Sequence, residues 1–152
     1  MVERYEHGIA VMQKALQGVS AKLLDVPPAP GKWTIRQIAA HVADADLVSS
    51  ARFRWIAAQP GSPLPSWDQE IWTEKLAYTR QPVEQSLAAI AAIRRYTAAM
   101  LRHLPAAAWQ QSGQHSEKGE VTLLAQVEYM AGHAENHARQ IEAIRQKGAS
   151  AN

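Results

Sequence analysis

The chain has 152 residues, 47% of them hydrophobic, no cysteine, and 16 Lys+Arg against 14 Asp+Glu for a net charge of +2. That length and apolar content suit one ordinary domain with a sizeable core, and without thiols there is no disulfide framework, thiolate metal site or cysteine nucleophile. The small, dispersed charge argues against nucleic acid as a partner, and no apolar run reaches bilayer-spanning length.

Alanine supplies much of the apolar content, while Phe occurs once and Gly and Pro 8 times each, a balance that favours closely packed helices over sheet. The opening residues, Met1 to His7, lack the basic-then-apolar pattern of a secretory signal, so a cytoplasmic protein is expected.

In residues 3–24, Ile9, Met12, Leu16, Val19 and Leu23 recur at helical spacing and predict a first helix. Pro27, Pro28, Pro30 and Gly31 cannot continue it. A second helix opens at Thr34, an N-cap that leaves Trp33 outside as a hydrophobic staple, and runs to about Ala58. Residues 59–81 are the longest irregular stretch, with Ser66 placed to cap a short helix. A connection of that length crosses a helical domain or covers a site.

A third helix opens after Pro82 and carries Val83, Leu87, Ile90, Ile93 or Arg94, Thr97 and Leu101 to about His103. Arg94, Arg95 and Arg102 read as a solvated basic face. Residues 104–109 form a short turn and residues 110–120 a polar loop. The last helix starts near Thr122, follows Leu123, Val127, Met130, Ala134, Ile141 and Ile144, and is expected to end at Gly148. The expected fold is an all-α four-helix bundle with a long crossover, one domain over 1–152.

His133 and His137 stand four residues apart on the last helix, the spacing with which a helix grips a metal ion. The same spacing also arises as a coincidence on a helix surface. His137 falls on the core stripe and His133 on its shoulder. His41 lies between Ile38 and Ala45 on the inward side of the second helix, either as a core histidine bonded to a neighbouring helix or as a third ligand. Burying several imidazoles without a shared partner costs desolvation repeatedly, and one metal ion answers for all three.

Asp44, one turn from His41, is placed to accept its second N–H, to ligate, or to act as a base, or else to face solvent beside Asp46. Gln140 and Glu135 flank the pair and could orient it, although Glu135 reads first as a solvent-exposed residue. His7, His103 and His115 have no helical partner at ligand spacing and read as structural or surface residues. Trp33, Trp55, Trp67, Trp72 and Trp109 sit at element ends and connections and are expected to close the bundle ends and seat the long crossover, the alternative being that Trp67 or Trp72 forms an apolar wall over a metal.

Pro30-Gly31-Lys32-Trp33-Thr34-Ile35-Arg36-Gln37 leading to His41-Val42-Ala43-Asp44, the loop from His115 to Leu123, and His133-x3-His137 together resemble the DinB-like superfamily. More narrowly they are similar to its YfiT-like branch, associated with metal-dependent hydrolases and thiol transferases. The resemblance implies a four-helix bundle whose divalent metal, commonly nickel or zinc, is held at His41, His133 and His137. It also implies a homodimer and relatives that are bacillithiol-dependent transferases or a mycothiol-dependent isomerase. The leading expectation is a metal-dependent enzyme acting on a small-molecule substrate, as a hydrolase or with a low-molecular-weight thiol as co-substrate. The rivals are a non-catalytic metal-binding stress-response bundle and an interaction module whose histidines bind nothing.

Overall fold

The structure, a computed structural model, describes residues 1–150. Six helices, α1 (Val2–Leu16), α2 (Ala21–Leu24), α3 (Ile35–Ala58), α4 (Gln69–Lys75), α5 (Val83–His103) and α6 (Leu123–Ser150), alternate with three short strands. The strands are β1 (Pro63–Leu64), β2 (Ser112–His115) and β3 (Gly119–Thr122). The four long helices form the bundle expected. Helix α1 packs on α5 and α6, and α3 packs on the same two, so α1 and α3 face each other diagonally.

The long helices begin where local chemistry says they should. Thr34 caps α3 through a reciprocal box, its hydroxyl accepting from Gln37 N and the Gln37 side chain accepting from Thr34 N. Pro82 precedes α5, and the Thr122 hydroxyl accepts from Ala125 N at the start of α6. The buried residues Met12, Ile38, Val42, Ile90, Ala134 and Ile141 fill one end of the core, and Tyr5, Phe53, Ile56, Leu101 and Val127 the other.

Five local expectations are corrected. The first helix is not continuous to residue 24, because the chain turns at Gly18 with φ 73 and restarts at the Ser20 cap of α2. Gly148 does not end α6; a Cβ there would lie 2.9 Å from Leu23 Cδ1, so the glycine serves close helix packing. Asp68, not Ser66, caps α4, its carboxylate accepting from Glu70 N and Ile71 N. Residues 110–120 are not simply a loop: β2 and β3 pair as an antiparallel hairpin, and β1 adds in parallel with Leu64 opposite His115.

The fifth correction concerns Arg94. It is fully buried rather than part of a solvated face, because Asp46 from α3 meets it inside the bundle. Arg95 and Arg102 remain exposed. Among the described residues no helix is long and apolar enough to cross a membrane.

Candidate metal centre

Helix periodicity delivers the three histidines to one point. His41 projects from the second turn of α3, and His133 and His137 from successive turns of α6, so the packing of α3 against α6 closes the group. His133 Nε2 stands 3.1 Å from His41 Nε2 and 3.2 Å from His137 Nε2. One ligand atom from each ring lies within 4.8 Å of the others. His41 is buried, and His133 and His137 are half-buried, Ala138 taking the central core position next to His137.

Proton accounting shows that these rings do not satisfy one another. Gln140 Oε1 lies 3.0 Å from His137 Nδ1 and takes its proton, which leaves a lone pair on His137 Nε2. One proton on His133 Nε2 can make a linear bond to one neighbour, not to both. His41 Nδ1 and His133 Nδ1 are buried with no hydrogen-bond partner. Three converging lone pairs are instead what a cation needs, and two nitrogens bound tetrahedrally at a zinc-like distance stand about 3.4 Å apart. The residues present fit a divalent ion.

Burial also holds the rings in the ligating, neutral state. Desolvation, with a smaller contribution from His137, pushes His41 down to about 3. Desolvation likewise lowers His133, helped by the two neighbouring imidazoles, and lowers His137 against the opposing bond from Gln140.

Aromatic rings enclose the group. Trp33 lies 4.8 Å from His41 between ring centroids and Trp67 stacks on His41 at 5.5 Å, with Trp72 4.5 Å from Trp67. Of the two tryptophans weighed as a wall, Trp67 packs on His41 and Trp72 packs on Trp67. Trp33 exceeds its staple role, and its indole N–H donates to Glu70 at 3.1 Å, pinning α4 over the site. Trp55 is exposed, and Trp109 packs at the other end of the core.

Asp44 is not at the centre. Its carboxylate accepts from the Tyr78 hydroxyl at 2.5 Å, on a different side of α3, and His41 Nδ1 receives nothing from it. Glu135 pairs with Arg4 at 2.7 Å rather than with a histidine. His115, read as structural or surface, is buried and joins His41 and His133 in lining a cavity of about 560 Å³. Arg52, also buried and lining that cavity, carried no signal in the sequence beyond its place eleven residues after His41 on one helix face.

A four-helix bundle with a three-histidine group at the mouth of a cavity defines a class of proteins equipped to hold one divalent ion in an open site. The chain belongs to the DinB superfamily, whose family model matches residues 4–141. It is 28% identical over 136 residues to a Bacillus mycoides protein named "putative metal-dependent hydrolase", covering 90% of this chain and 78% of that one. A Bacillus cereus protein of the same name matches equally well in identity and coverage.

The fold is shared with YfiT from Bacillus subtilis, described as "a probable metal-dependent hydrolase with an unusual four-helix bundle topology". The match has a TM-score of 0.91 at 23% identity and covers 97% of this chain and 85% of YfiT. A mycothiol-dependent maleylpyruvate isomerase shares the fold with a TM-score of 0.74 at 13% identity, over 92% of this chain and 58% of that one.

Proposed function

We propose that the chain is a metal-dependent hydrolase in which His41, His133 and His137 hold one divalent cation, nickel or zinc, against a small-molecule substrate admitted through the cavity. The observation that carries this reading is the convergence of three imidazole nitrogens for which no proton arrangement makes both contacts linear hydrogen bonds. The names of the Bacillus relatives support the reaction class. Three histidines do not choose between nickel and zinc.

When bound, such an ion acts as a Lewis acid that lowers the pKa of a coordinated water to about 7 and polarises a carbonyl. The protein's own residues do the rest. Gln140 holds the His137 ring in the ligating tautomer. Trp33 and Trp67 both pack against the His41 ring and limit water around it. Among the described residues the group has three members, which supports an open position and hence catalysis over a closed structural site.

A second reading, transfer of a low-molecular-weight thiol, has specific support in the bundle shared with the mycothiol-dependent isomerase. A chain with no cysteine would borrow that thiol. Metal analysis of the purified protein, followed by turnover with ester and amide panels and with thiol-plus-electrophile pairs, tests both. Stoichiometric metal with turnover only in the first panel supports hydrolysis. His137→Ala is expected to abolish metal retention, and unchanged metal content in that variant would sink the three-histidine reading.

A further inference from the structure

The cavity that opens on the histidines has a second chemical feature at its other end. His41, Ala45, Ser49 and Arg52 follow one face of α3 along its wall, which puts the Cα atoms of His41 and Arg52 about 16 Å apart at helical rise. Arg52 is 7% exposed. One of its terminal nitrogens donates to Pro65 O, its Nε is buried with no acceptor, and no carboxylate pairs with it among the described residues. A buried guanidinium left with an unused donor is costly unless a ligand completes it.

His115 stands beside it because of the small sheet. The β1–β2 register sets Leu64 opposite His115, and Ser66 N donates to Ser116 Oγ at 2.9 Å, so the Pro65 carbonyl that holds Arg52 lies next to the His115 strand end. His115 Nδ1 accepts from Glu117 N at 3.2 Å and Lys118 N at 3.3 Å, which puts the ring proton on Nε2. Among the described residues that Nε2–H has no acceptor.

We propose that Arg52 and His115 form a carboxylate subsite at the far end of this cavity, so that the molecule acted on at the histidines carries a carboxylate at its other end. Which end reacts rests on the three-histidine reading above; the anion subsite does not. Asp68, Glu70 and Glu117 line the same cavity with Lys118, and this mixed charge disfavours a dianionic phosphate while Arg52 and Lys118 together favour a single negative charge at their end.

The test uses mercaptocarboxylates of increasing chain length and mercaptoalcohols of matching length, the thiol serving as a grip on the nickel- or zinc-loaded protein. At the length that spans the cavity, the acid is expected to bind roughly ten- to a hundredfold tighter than the alcohol in the wild type. Arg52→Gln should bring the two together by weakening the acid alone. Arg52→Lys, which retains the charge and one donor to Pro65, should keep part of the preference and serves where Arg52→Gln does not fold.

Equal binding of acid and alcohol at every length in the wild type, or an undiminished preference in the Arg52 variants, overturns the proposal. Tighter binding of the matching phosphonates overturns the choice of a carboxylate. A metal-free arm separates this inference from the metal reading. In it, the acids should still shift the His115 ring and Arg52 Nε–H resonances in the wild type and leave the His115 ring unshifted in Arg52→Gln, and the alcohols should shift neither resonance in the wild type. Failure of the alcohols to bind loaded protein counts against the metal centre, whereas absent shifts in the metal-free arm count against the subsite.

Discussion

Two polar clusters lie inside this bundle, and they differ in whether the protein completes them. The Arg94 guanidinium is fully engaged: it bonds Asp46 at 2.7 and 2.9 Å, Tyr5 O at 2.5 Å and Met130 O at 3.0 Å, with the Tyr5 ring 4.6 Å away. Those partners come from α1, α3 and α6, so one side chain of α5 ties all four long helices together. In the cavity, by contrast, the Nε2 atoms of His41, His133 and His137 converge without satisfying one another, and Arg52 Nε is buried without a partner. A buried polar group that the fold satisfies is part of the architecture, whereas several left incomplete around one cavity mark where a ligand completes the structure.

The comparison breaks most visibly at the closed cluster. Asp46→Ala strands a buried arginine and should cost about 3–5 kcal/mol, read as a fall in the urea midpoint of the metal-free protein. At the open cluster, His41→Leu should leave metal-free stability unchanged or slightly raised, since it removes an unsatisfied group. The same variant should lose the metal-dependent stabilisation, which is about 2.7 kcal/mol at a hundredfold excess over Kd, as scanning calorimetry with and without Ni²⁺ or Zn²⁺ will show. A large loss of metal-free stability in His41→Leu would erase the distinction between the clusters.

Gln140→Leu sharpens it further, because this exposed residue contributes little to the fold but fixes the His137 tautomer. A drop of about tenfold in metal affinity is expected, measured by competition with a chelator. Thr34→Ala removes one side of the capping box two turns before His41 and should cost about 1 kcal/mol whether or not metal is present, checked by denaturation of both forms.

The smallest effect is at the surface, where the Arg36 guanidinium holds the Asp25 carboxyl below its ordinary value of 3.8. A depressed folded-state pKa means stability present above the unfolded value and lost as pH falls through the folded one. Asp25→Asn should therefore lower stability slightly at neutral pH, leave it unchanged at the acid extreme, and so flatten the acid limb of the stability curve below about pH 4, as acid titration followed by circular dichroism will report.

Much of the bundle and its histidine group was legible because both depend on local periodicity. Thr34 with Gln37 three residues on, Pro82 before an apolar stripe, and His133 four residues from His137 are relations within one helix. The sheet was not legible, since β1 is two residues long and Ser112, Gly113 and Gln114 are poor strand formers that pair only because the crossover is laid beside them. Arg94 beside Arg95 read as solvent-facing, and Asp44 looked closer to His41 than Asp46 looked to anything. Which carboxylate turns inward depends on the neighbouring helix: Asp46 meets Arg94, and Asp44 meets Tyr78.

The amino-acid sequence by itself determined that four long helices form, where α3 and α5 begin, and that His133 and His137 share one side of a helix, because backbone geometry repeats every 3.6 residues whatever surrounds it. Tertiary structure alone decided that the three rings meet, that Arg94 is buried and complete, and that Arg52 and His115 share a cavity wall. Those outcomes join residues many turns apart in sequence, and only the packing of α3 against α5, α6 and the small sheet chooses which polar groups are answered and which are left for a ligand.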